Sequence, residues 1–263
     1  MKIIDIHSHF NIGSQFDTKE SVYHQRNFDF IMQDYKNANI LAGGFCPFSS
    51  VEQSVLSHQN IYNDNENMHN IALSNEKVYQ WLVLHPERKE LFGQVERLIL
   101  SDKVLGVKLH SHYHGYSIEE YGDKLFSFCN ELKCFVLIHP KPNTTPTIVK
   151  LADKYPNLKV IIAHLGHDYF SGAVQTEDRI EAILQSKHGN IFTDVSAHGI
   201  TLNNIVEYAV EKVGSEKLFF GTDTYSCGYQ VGRIEYSRIS DKDKENIFYN
   251  NAKTHFARQF KNL

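Results

Sequence analysis

Eight short apolar segments recur along the 263-residue chain, and most are separated by segments with the length and pattern of amphipathic helices. Near-continuous apolar strands that alternate with helices are typical of a parallel sheet covered by helices. Eight such units in a chain of this length favour an α/β fold, namely a TIM-type (β/α)8 barrel in one domain, residues 1–263. The apolar segments are Ile3–Ile6, Ile40–Phe45, Val78–Leu84, Val104–Leu109, Phe135–Ile138, Val160–Ala163, Ile191–Val195 and Leu218–Phe220.

The intervening segments predict six helices and a helical segment that closes the chain. Ser240 is a suitable N-cap for this last segment, Asp241–Phe260. Cys46–Gln59 is the longest irregular stretch and is predicted as a loop that covers a site. An open doubly wound sheet would more often carry a glycine-rich phosphate loop after an early strand, and none is present. The predicted helices are Phe28–Asn37, Lys89–Leu100, Tyr121–Leu132, Thr145–Tyr155, Thr176–Gln185 and Leu202–Val213.

Composition limits the classes of partner. The net charge of −4 gives no basic surface for nucleic acid or anionic membranes. The four cysteines form no CxxC pair, and no apolar run approaches the length of a membrane span. We therefore expect a soluble cytoplasmic protein that acts on a small molecule, without nucleic-acid or membrane partners, and a homodimer is compatible with the sequence.

The first apolar segment leads directly into His7-Ser8-His9. Side chains alternate along a strand, so Asp5, His7 and His9 share one face. The two histidines then lie roughly 6.6 Å apart along the backbone, from a rise of ~3.3 Å per residue. Two imidazoles at this spacing can converge on one divalent ion, although a polar N-terminal turn with two incidental histidines is the alternative.

Polar residues stand at the same end of six of the eight predicted strands. The active sites of barrel enzymes lie at the C-terminal ends of the strands, where these side chains would meet. This placement predicts a site rich in histidine. The strand-end residues are His7 and His9, Lys108 and His110, His139, His164, Asp194 with His198 further on, and Asp223.

Five of these segments resemble the amidohydrolase superfamily, specifically its amidohydrolase-2 (amidohydrolase-related) branch. They read IDIHSHF, GVKLHSH, FVLIHPKPN, VIIAHLG and FFGTD, and the stretch Tyr249–Lys253 is similar to the usual ending of the branch. The resemblance covers essentially the whole chain, with the motifs in the expected order. It implies a barrel enzyme from a branch of metal-dependent hydrolases and nonoxidative decarboxylases, such as aminocarboxymuconate semialdehyde decarboxylase.

The resemblance also implies a ligand set. His7 and His9 would bind metal from strand 1, His139 from strand 5 and Asp223 from strand 8, while His164 would polarise the substrate or shuttle protons. Three neutral imidazoles and one carboxylate suit zinc with one open position, and manganese or another divalent ion is also compatible. Zinc lowers the pKa of its water towards ~7. Asp223 can accept that water's proton, and His164 can stabilise charge on the substrate oxygen.

Each of these residues also has a purely structural interpretation. His139 could simply end its strand, His164 could hold a turn, and Asp223 could cap the segment that follows. We expect Asp194 to brace the loop after strand 7 rather than bind metal. Asp5 lies one step deeper in the barrel and is expected to support the ligands.

Lys108 and His110 share a face of strand 4 by parity. Lys108 could be carboxylated and bridge two metal ions, as in some relatives of the wider superfamily, or it could bind an acidic substrate as an ammonium group. One ion is the favoured interpretation, and a second ion is an alternative. Together with His198, Lys108 and His110 are the predicted substrate-binding residues, and His112 and His114 either line the mouth or belong to a polar loop.

Hydrolysis of a small amide, lactone or ester is the leading function, and metal-dependent decarboxylation is the alternative. A cation near the metal, such as Lys108 or Arg233, would favour decarboxylation. The early catalytic arginine of the decarboxylases, however, has no clear equivalent in this chain, and Arg26 is an unsupported candidate for it. Two other classes are less consistent with the sequence. A TatD-type deoxyribonuclease would carry glutamate where this chain has Lys108, and a binding protein that only holds a metal would not need the intact ligand set. His85 replaces an acidic residue that we expect from relatives, which leaves substrate preference open.

Overall fold

The computed structural model describes residues 1–10, 28–47, 55–165, 176–196, 204–224 and 227–263, without the side chains of residues 55–59 and 176. It confirms the predicted barrel, because eight parallel strands lie side by side in their order along the chain. The strands are β1 (Ile3–Phe10), β2 (Ile40–Pro47), β3 (Val78–Val83), β4 (Val104–His110), β5 (Phe135–His139), β6 (Lys159–Ile162), β7 (Ile191–Asp194) and β8 (Leu218–Phe219).

Helices connect the strands and cover the outside of the sheet. Ser117, for example, begins its helix by accepting hydrogen bonds from the backbone N–H groups of Glu119 and Glu120. None of the described helices combines the length and hydrophobicity that a membrane crossing requires. The helices are α1 (Phe28–Asn37), α2 (Val55–Ser74), α3 (Lys89–Leu98), α4 (Ile118–Glu131), α5 (Thr145–Lys154), α6 (Thr176–Gln185), α7 (Ile205–Val213), α8 (Cys227–Glu235), α9 (Asp241–Glu245) and α10 (Asn251–His255).

The ring of strands is closed by the segment that follows β8. The Ile6 N–H donates to the Phe220 carbonyl over 3.0 Å, and the N–H groups of Thr222 and Asp223 donate to the His7 carbonyl over 3.1 and 2.8 Å. Since β8 itself has only two residues, these bonds make the seam between the last strand and the first. They also place Asp223 beside the two histidines of β1.

Strand register decides which side chains point into the barrel. Lys108 pairs with Leu137, and His110 pairs with His139, so alternate residues of β4 and β5 form successive interior layers. Deeper in the same column is Gly106. A Cβ there would lie 2.2 Å from the Phe135 carbonyl oxygen, so only glycine fits.

Aromatic rings fill the opposite, N-terminal end of the barrel around His255. The His255 ring lies 4.8 Å from the Phe192 ring and 5.6 Å from the Phe219 ring. The Nδ1 atom of His255 is 3.2 Å from the Nζ of Lys159. Burial, together with Lys159 and Lys217, lowers the pKa of His255 from 6.5 to about 4.

This imidazole is expected to make stability depend on pH. Between about pH 4 and 6.5 the unfolded chain binds a proton on His255 that the folded protein does not. The free energy of unfolding therefore falls as the pH is lowered through this range. In His255→Gln, we expect the free energy of unfolding to fall by about 1 kcal/mol less over this pH range than in the wild type. Solvent screening of the half-exposed ring keeps this difference small.

Urea unfolding at both ends of the range measures the effect. Comparing the pH dependence of variant and wild type separates protonation from the lost ring packing, which is the same at both pH values. His188→Gln removes an exposed histidine and serves as the control. An unchanged pH dependence in His255→Gln would show that His255 is not responsible.

Three local predictions are wrong. Helix α2 begins at Val55, inside the predicted loop Cys46–Gln59, and its buried face includes Asn65, which donates to the Val83 carbonyl over 2.9 Å. A helix with polar residues on its buried face has no clear apolar periodicity, so the pattern missed it. Helix α8 is absent from the predicted helices, because Gly228 and Gly232 weaken its helical signal.

The closing segment is helical over a shorter range than predicted. The predicted helix Asp241–Phe260 is divided into α9, a π-helical turn (Asn246–Asn250) and α10, which ends at His255. The proposed cap is confirmed, because the Ser240 side chain accepts the Asp243 N–H.

Candidate active site

Two imidazoles and one carboxylate converge at the C-terminal end of the barrel. The Oδ1 atom of Asp223 lies 3.0 Å from the Nε2 of His9 and 3.4 Å from the Nε2 of His7. All three side chains are buried, and their ligand-type atoms lie within 4.8 Å of one another. Nitrogen donors with a carboxylate oxygen suit zinc and also occur around manganese, so these residues fit the ion that the sequence predicts.

The backbone after β8 aims Asp223 at the histidines. Asp223 and Thr224 have left-handed φ angles of 52° and 64°, which cost energy for residues other than glycine. Just before them, a Cβ on Gly221 would lie 2.9 Å from the Cβ of His7. Close approach and a strained turn therefore bring the carboxylate to the end of β1.

The outer nitrogen of His7 is held by a second carboxylate. Its Nδ1 lies 3.0 Å from the Oδ2 of Asp194, so Nδ1 carries the proton and Nε2 presents its lone pair to the cluster. Burial, followed by the charge of Lys108, lowers the pKa of His7 and keeps the ring neutral. Burial acts to raise the pKa of Asp194, but His7, His164 and Ser196 hold it at about 2.

The outer nitrogen of His9 meets a thiol that the sequence analysis did not assign to the site. The Sγ of Cys46 lies 3.0 Å from the Nδ1 of His9. Burial acts to lower the pKa of His9, but Cys46 and Asp223 raise it to about 9. Cys46 stands near the end of β2, where the strand-end rule used for the histidines would have found it.

A hydrogen-bonded chain extends from Asp194 to His139. The Ser196 hydroxyl donates to Asp194, so its oxygen accepts from the Nδ1 of His164 over 2.8 Å. The Nε2 of His164 then accepts from the Nδ1 of His139 over 3.0 Å, and the lone pair of His139 resides on Nε2. Ser196 is a second residue that was missed, although it lies two positions after a strand-end aspartate.

His139 joins the site through His164 and through stacking on His110. Its ring centroid is 4.7 Å from that of His164 and 4.3 Å from that of His110. Among the described residues, the two groups of mutually close ligand atoms are His7–His9–Asp223 and His7–His164–Asp194, and neither includes His139. The ligand role of His139 therefore stays a prediction.

Lys108 lies next to the cluster, fully inside the barrel. Its Nζ is 2.9 Å from the Nε2 of His7. Burial lowers the pKa of Lys108, against the opposing effect of Cys46, Asp223 and Asp194. The neighbouring His110 is stacked between Tyr113 and His139, with both centroid distances 4.3 Å.

The other predicted substrate contacts are only partly testable. His198 and Arg26 lie outside the described residues. Arg233 contacts the Val195 carbonyl beside the end of β7. His114 is buried rather than solvated, and its ring lies 5.6 Å from that of His85.

Two buried hydroxyl groups lie close to His114 in the sequence. Those of Ser111 and Tyr116 have no hydrogen-bond partner among the described residues, which is a feature of sites that receive a polar ligand or water.

The comparisons with known proteins point to one family. A family model described as Amidohydrolase (Amidohydro_2) matches residues 4–257. No curated protein matches the chain.

Solved structures share the fold at low sequence identity. One is a Pseudomonas putida protein provisionally named 2-pyrone-4,6-dicarboxylic acid hydrolase, with 17% identity and a TM-score of 0.71 over 98% of each chain. Another is 5-carboxyvanillate decarboxylase from Novosphingobium aromaticivorans, solved with manganese, with 13% identity and a TM-score of 0.74 over 97% of this chain and 96% of that one. A third is 2,6-dihydroxybenzoate decarboxylase from Rhizobium, with 10% identity and a TM-score of 0.73 over 98% and 99%.

Proposed function

The chain belongs to the amidohydrolase family, and from that membership we propose that it is a metal-dependent hydrolase of a small amide, lactone or ester. The observation that carries the proposal is the position of the Asp223 carboxylate, 3.0 and 3.4 Å from the inner nitrogens of His9 and His7. This geometry supports the proposal, because a candidate base and two candidate ligands converge in a buried site.

In this proposal His7, His9, His139 and Asp223 hold one divalent ion, for which zinc is the best match to three nitrogens and one oxygen. Manganese is the alternative. When bound, such an ion acts as a Lewis acid towards the scissile carbonyl and lowers the pKa of a neighbouring water. Asp194 supports the ligand set by fixing the proton of His7 on Nδ1.

Asp223 is assigned as the general base. Its carboxylate is buried and lies at the open end of the barrel, within reach of a water beside the two histidines. A carboxylate can take the proton of the attacking water as the bond to the carbonyl carbon forms.

His164 is assigned to the substrate oxygen. The Asp194–Ser196 pair anchors its Nδ1 and fixes the orientation of the ring. When the substrate is bound, a proton on Nε2 would replace the bond that this atom accepts from His139, and Nε2 would donate to the oxygen that gains negative charge in the transition state. The His164 φ of 67° indicates that the backbone is constrained at this residue.

Lys108 supports decarboxylation as the second candidate function. Its ammonium is buried and donates to the Nε2 lone pair of His7. When His7 binds an ion through this nitrogen, the ammonium is released for another acceptor, such as the carboxylate of a substrate. In that reaction the site would hold the carboxylate and stabilise a carbanion-like transition state.

A substrate panel tests the proposal. Lactones, cyclic amides, esters and aromatic carboxylic acids are incubated with the zinc-loaded or manganese-loaded protein, and acid release and carbon dioxide release are measured separately. We expect acid release from at least one carbonyl substrate, absent in the Asp223→Asn variant. Carbon dioxide release without hydrolysis would favour decarboxylation over hydrolysis. The absence of both activities would contradict both candidate functions.

Replacement of Lys108 distinguishes its two predicted roles. We expect Lys108→Met to leave the metal content unchanged and to raise KM for acidic substrates by about tenfold or more, because a charge-assisted hydrogen bond is lost. Lys103→Met is the control. Lys103 is partly buried just before the start of β4, at the opposite end from the site, and it donates to the backbone carbonyls of Asn75 and Val78. A fall from two ions per chain to one in Lys108→Met would instead show that the residue is carboxylated and bridges two ions.

A further inference from the structure

A surface cavity of about 320 Å³ lies between α8 and the beginning of α7. It is separate from the residues of the proposed function, but it is near them, because one of its lining residues contacts the carbonyl of Val195, which follows Asp194. The lining residues that matter here are Asn204, Glu207, Tyr229, Arg233, Tyr236 and Arg238.

Arg233 is bonded to neutral acceptors in the part of the chain that the structure describes. Its Nη1 donates to the Val195 carbonyl and to the Oε1 of Gln230, each over 3.0 Å, and both acceptors are neutral. Among the described residues no carboxylate forms an ion pair with it, since Glu207 lies 3.9 Å from Arg238 instead. Burial lowers the pKa of the Arg233 guanidinium, as expected for a cation removed from water without a counter-charge.

The bonding of Arg233 leaves a specific edge of the guanidinium for a ligand. With Nη1 occupied, the Nε and Nη2 groups have no hydrogen-bond acceptor among the described residues, and together they match two oxygens of a carboxylate or phosphate. The guanidinium is also fixed by its two bonds, so less conformational entropy is lost when it binds.

Two aromatic rings form the apolar part of the cavity. Tyr236 is 86% exposed and Tyr229 is 47% exposed, which leaves both rings accessible to a planar molecule. Tyrosine rings provide large contact area with few rotatable bonds and are common in binding sites. The cavity therefore combines a cationic fork with an aromatic wall.

We propose that this cavity is a second ligand site, which binds a small planar organic anion through Arg233 and stacks its body on Tyr229 and Tyr236. Arg238 lies at the rim and is paired with Glu207, so the charge that recognises the anion is that of Arg233. The site does not depend on the metal cluster or on the proposed reaction. It is linked to the cluster through Val195, because Asp194 holds His7.

Benzoate is the probe, titrated into the metal-loaded protein and followed by ligand-observed NMR at constant ionic strength. We expect a Kd on the order of 1 mM, typical of a fragment-sized ligand held by one ionic contact. Arg233→Gln should raise the Kd at least about tenfold, because it removes charge-assisted hydrogen bonds. Tyr236→Ala, which alters an exposed ring and leaves the core intact, should weaken benzoate but not acetate.

Two further variants separate this site from the barrel interior. Arg97→Gln removes an exposed arginine paired with Glu66 and should leave the Kd unchanged. Lys108→Met removes any binding of benzoate inside the barrel and should leave the binding that depends on Arg233. Loss of benzoate binding in Lys108→Met but not in Arg233→Gln would overturn the proposal, as would the absence of binding to the wild-type protein or equal affinity for acetate and benzoate.

Discussion

Replacement of Asp223 by asparagine is expected to lower kcat by about 10³-fold or more, because the general base and the anionic ligand are lost together. The fold should be retained for a specific reason. Asparagine tolerates the left-handed φ of 52° that this position requires, and the backbone N–H of residue 223 can still donate to the His7 carbonyl.

The measurement is single-substrate kinetics on a compound found in the panel, with thermal melting recorded for both proteins. Asp243→Asn is the matched control, since its carboxylate also accepts hydrogen bonds, from Ser215 and Ser240, but lies on α9 outside the barrel. An unchanged kcat in Asp223→Asn would refute the assigned role, whereas a loss with a collapsed melting transition would be a folding effect.

The wild-type protein is expected to carry about one divalent ion per chain, and His9→Ala is expected to lose it. His9 supplies one of the three converging atoms, and its replacement leaves Asp223 with a single imidazole partner in the cluster. Mass-spectrometric metal analysis after gentle purification and resupply of zinc or manganese gives the stoichiometry without reference to any substrate.

His188→Ala, which removes an exposed histidine bonded to the Asp153 carbonyl, should retain the full metal content. A wild-type content near zero after resupply would contradict the proposed ligand set. Two ions per chain in the wild type would support the bridging role of Lys108.

The barrel was predictable because its strands are buried on both faces. Such strands read as continuous apolar segments, and all eight were located. The first extends to Phe10 rather than Ile6, and β8 is shorter than expected. Helix α2 was missed for a different reason. In α2, Asn65 is completely buried and bonded to both Val83 and Gln94, so burial and polarity no longer separate along the sequence.

The site was predictable to the extent that strand ends define it. The same rule located His7, His9 and Asp223, which the fold brings together across more than two hundred positions. The pairings between these residues and their neighbours were not predictable in this way. The contact of Cys46 with His9 depends on the neighbouring strand, and that of Lys108 with His7 crosses the barrel interior. Neither pairing follows from periodicity, because both are set by packing in three dimensions.

The short last strand has a consequence for how the protein fails on heating. Hydrogen-bonded ladders join the neighbouring strands elsewhere in the barrel. At the seam between β8 and β1, a few hydrogen bonds from residues 220–223 close the barrel, and Asp223, the proposed base, belongs to this seam. The barrel is therefore least stable beside the proposed active site. Thermal inactivation should begin with the opening of this seam, while most of the secondary structure is still intact.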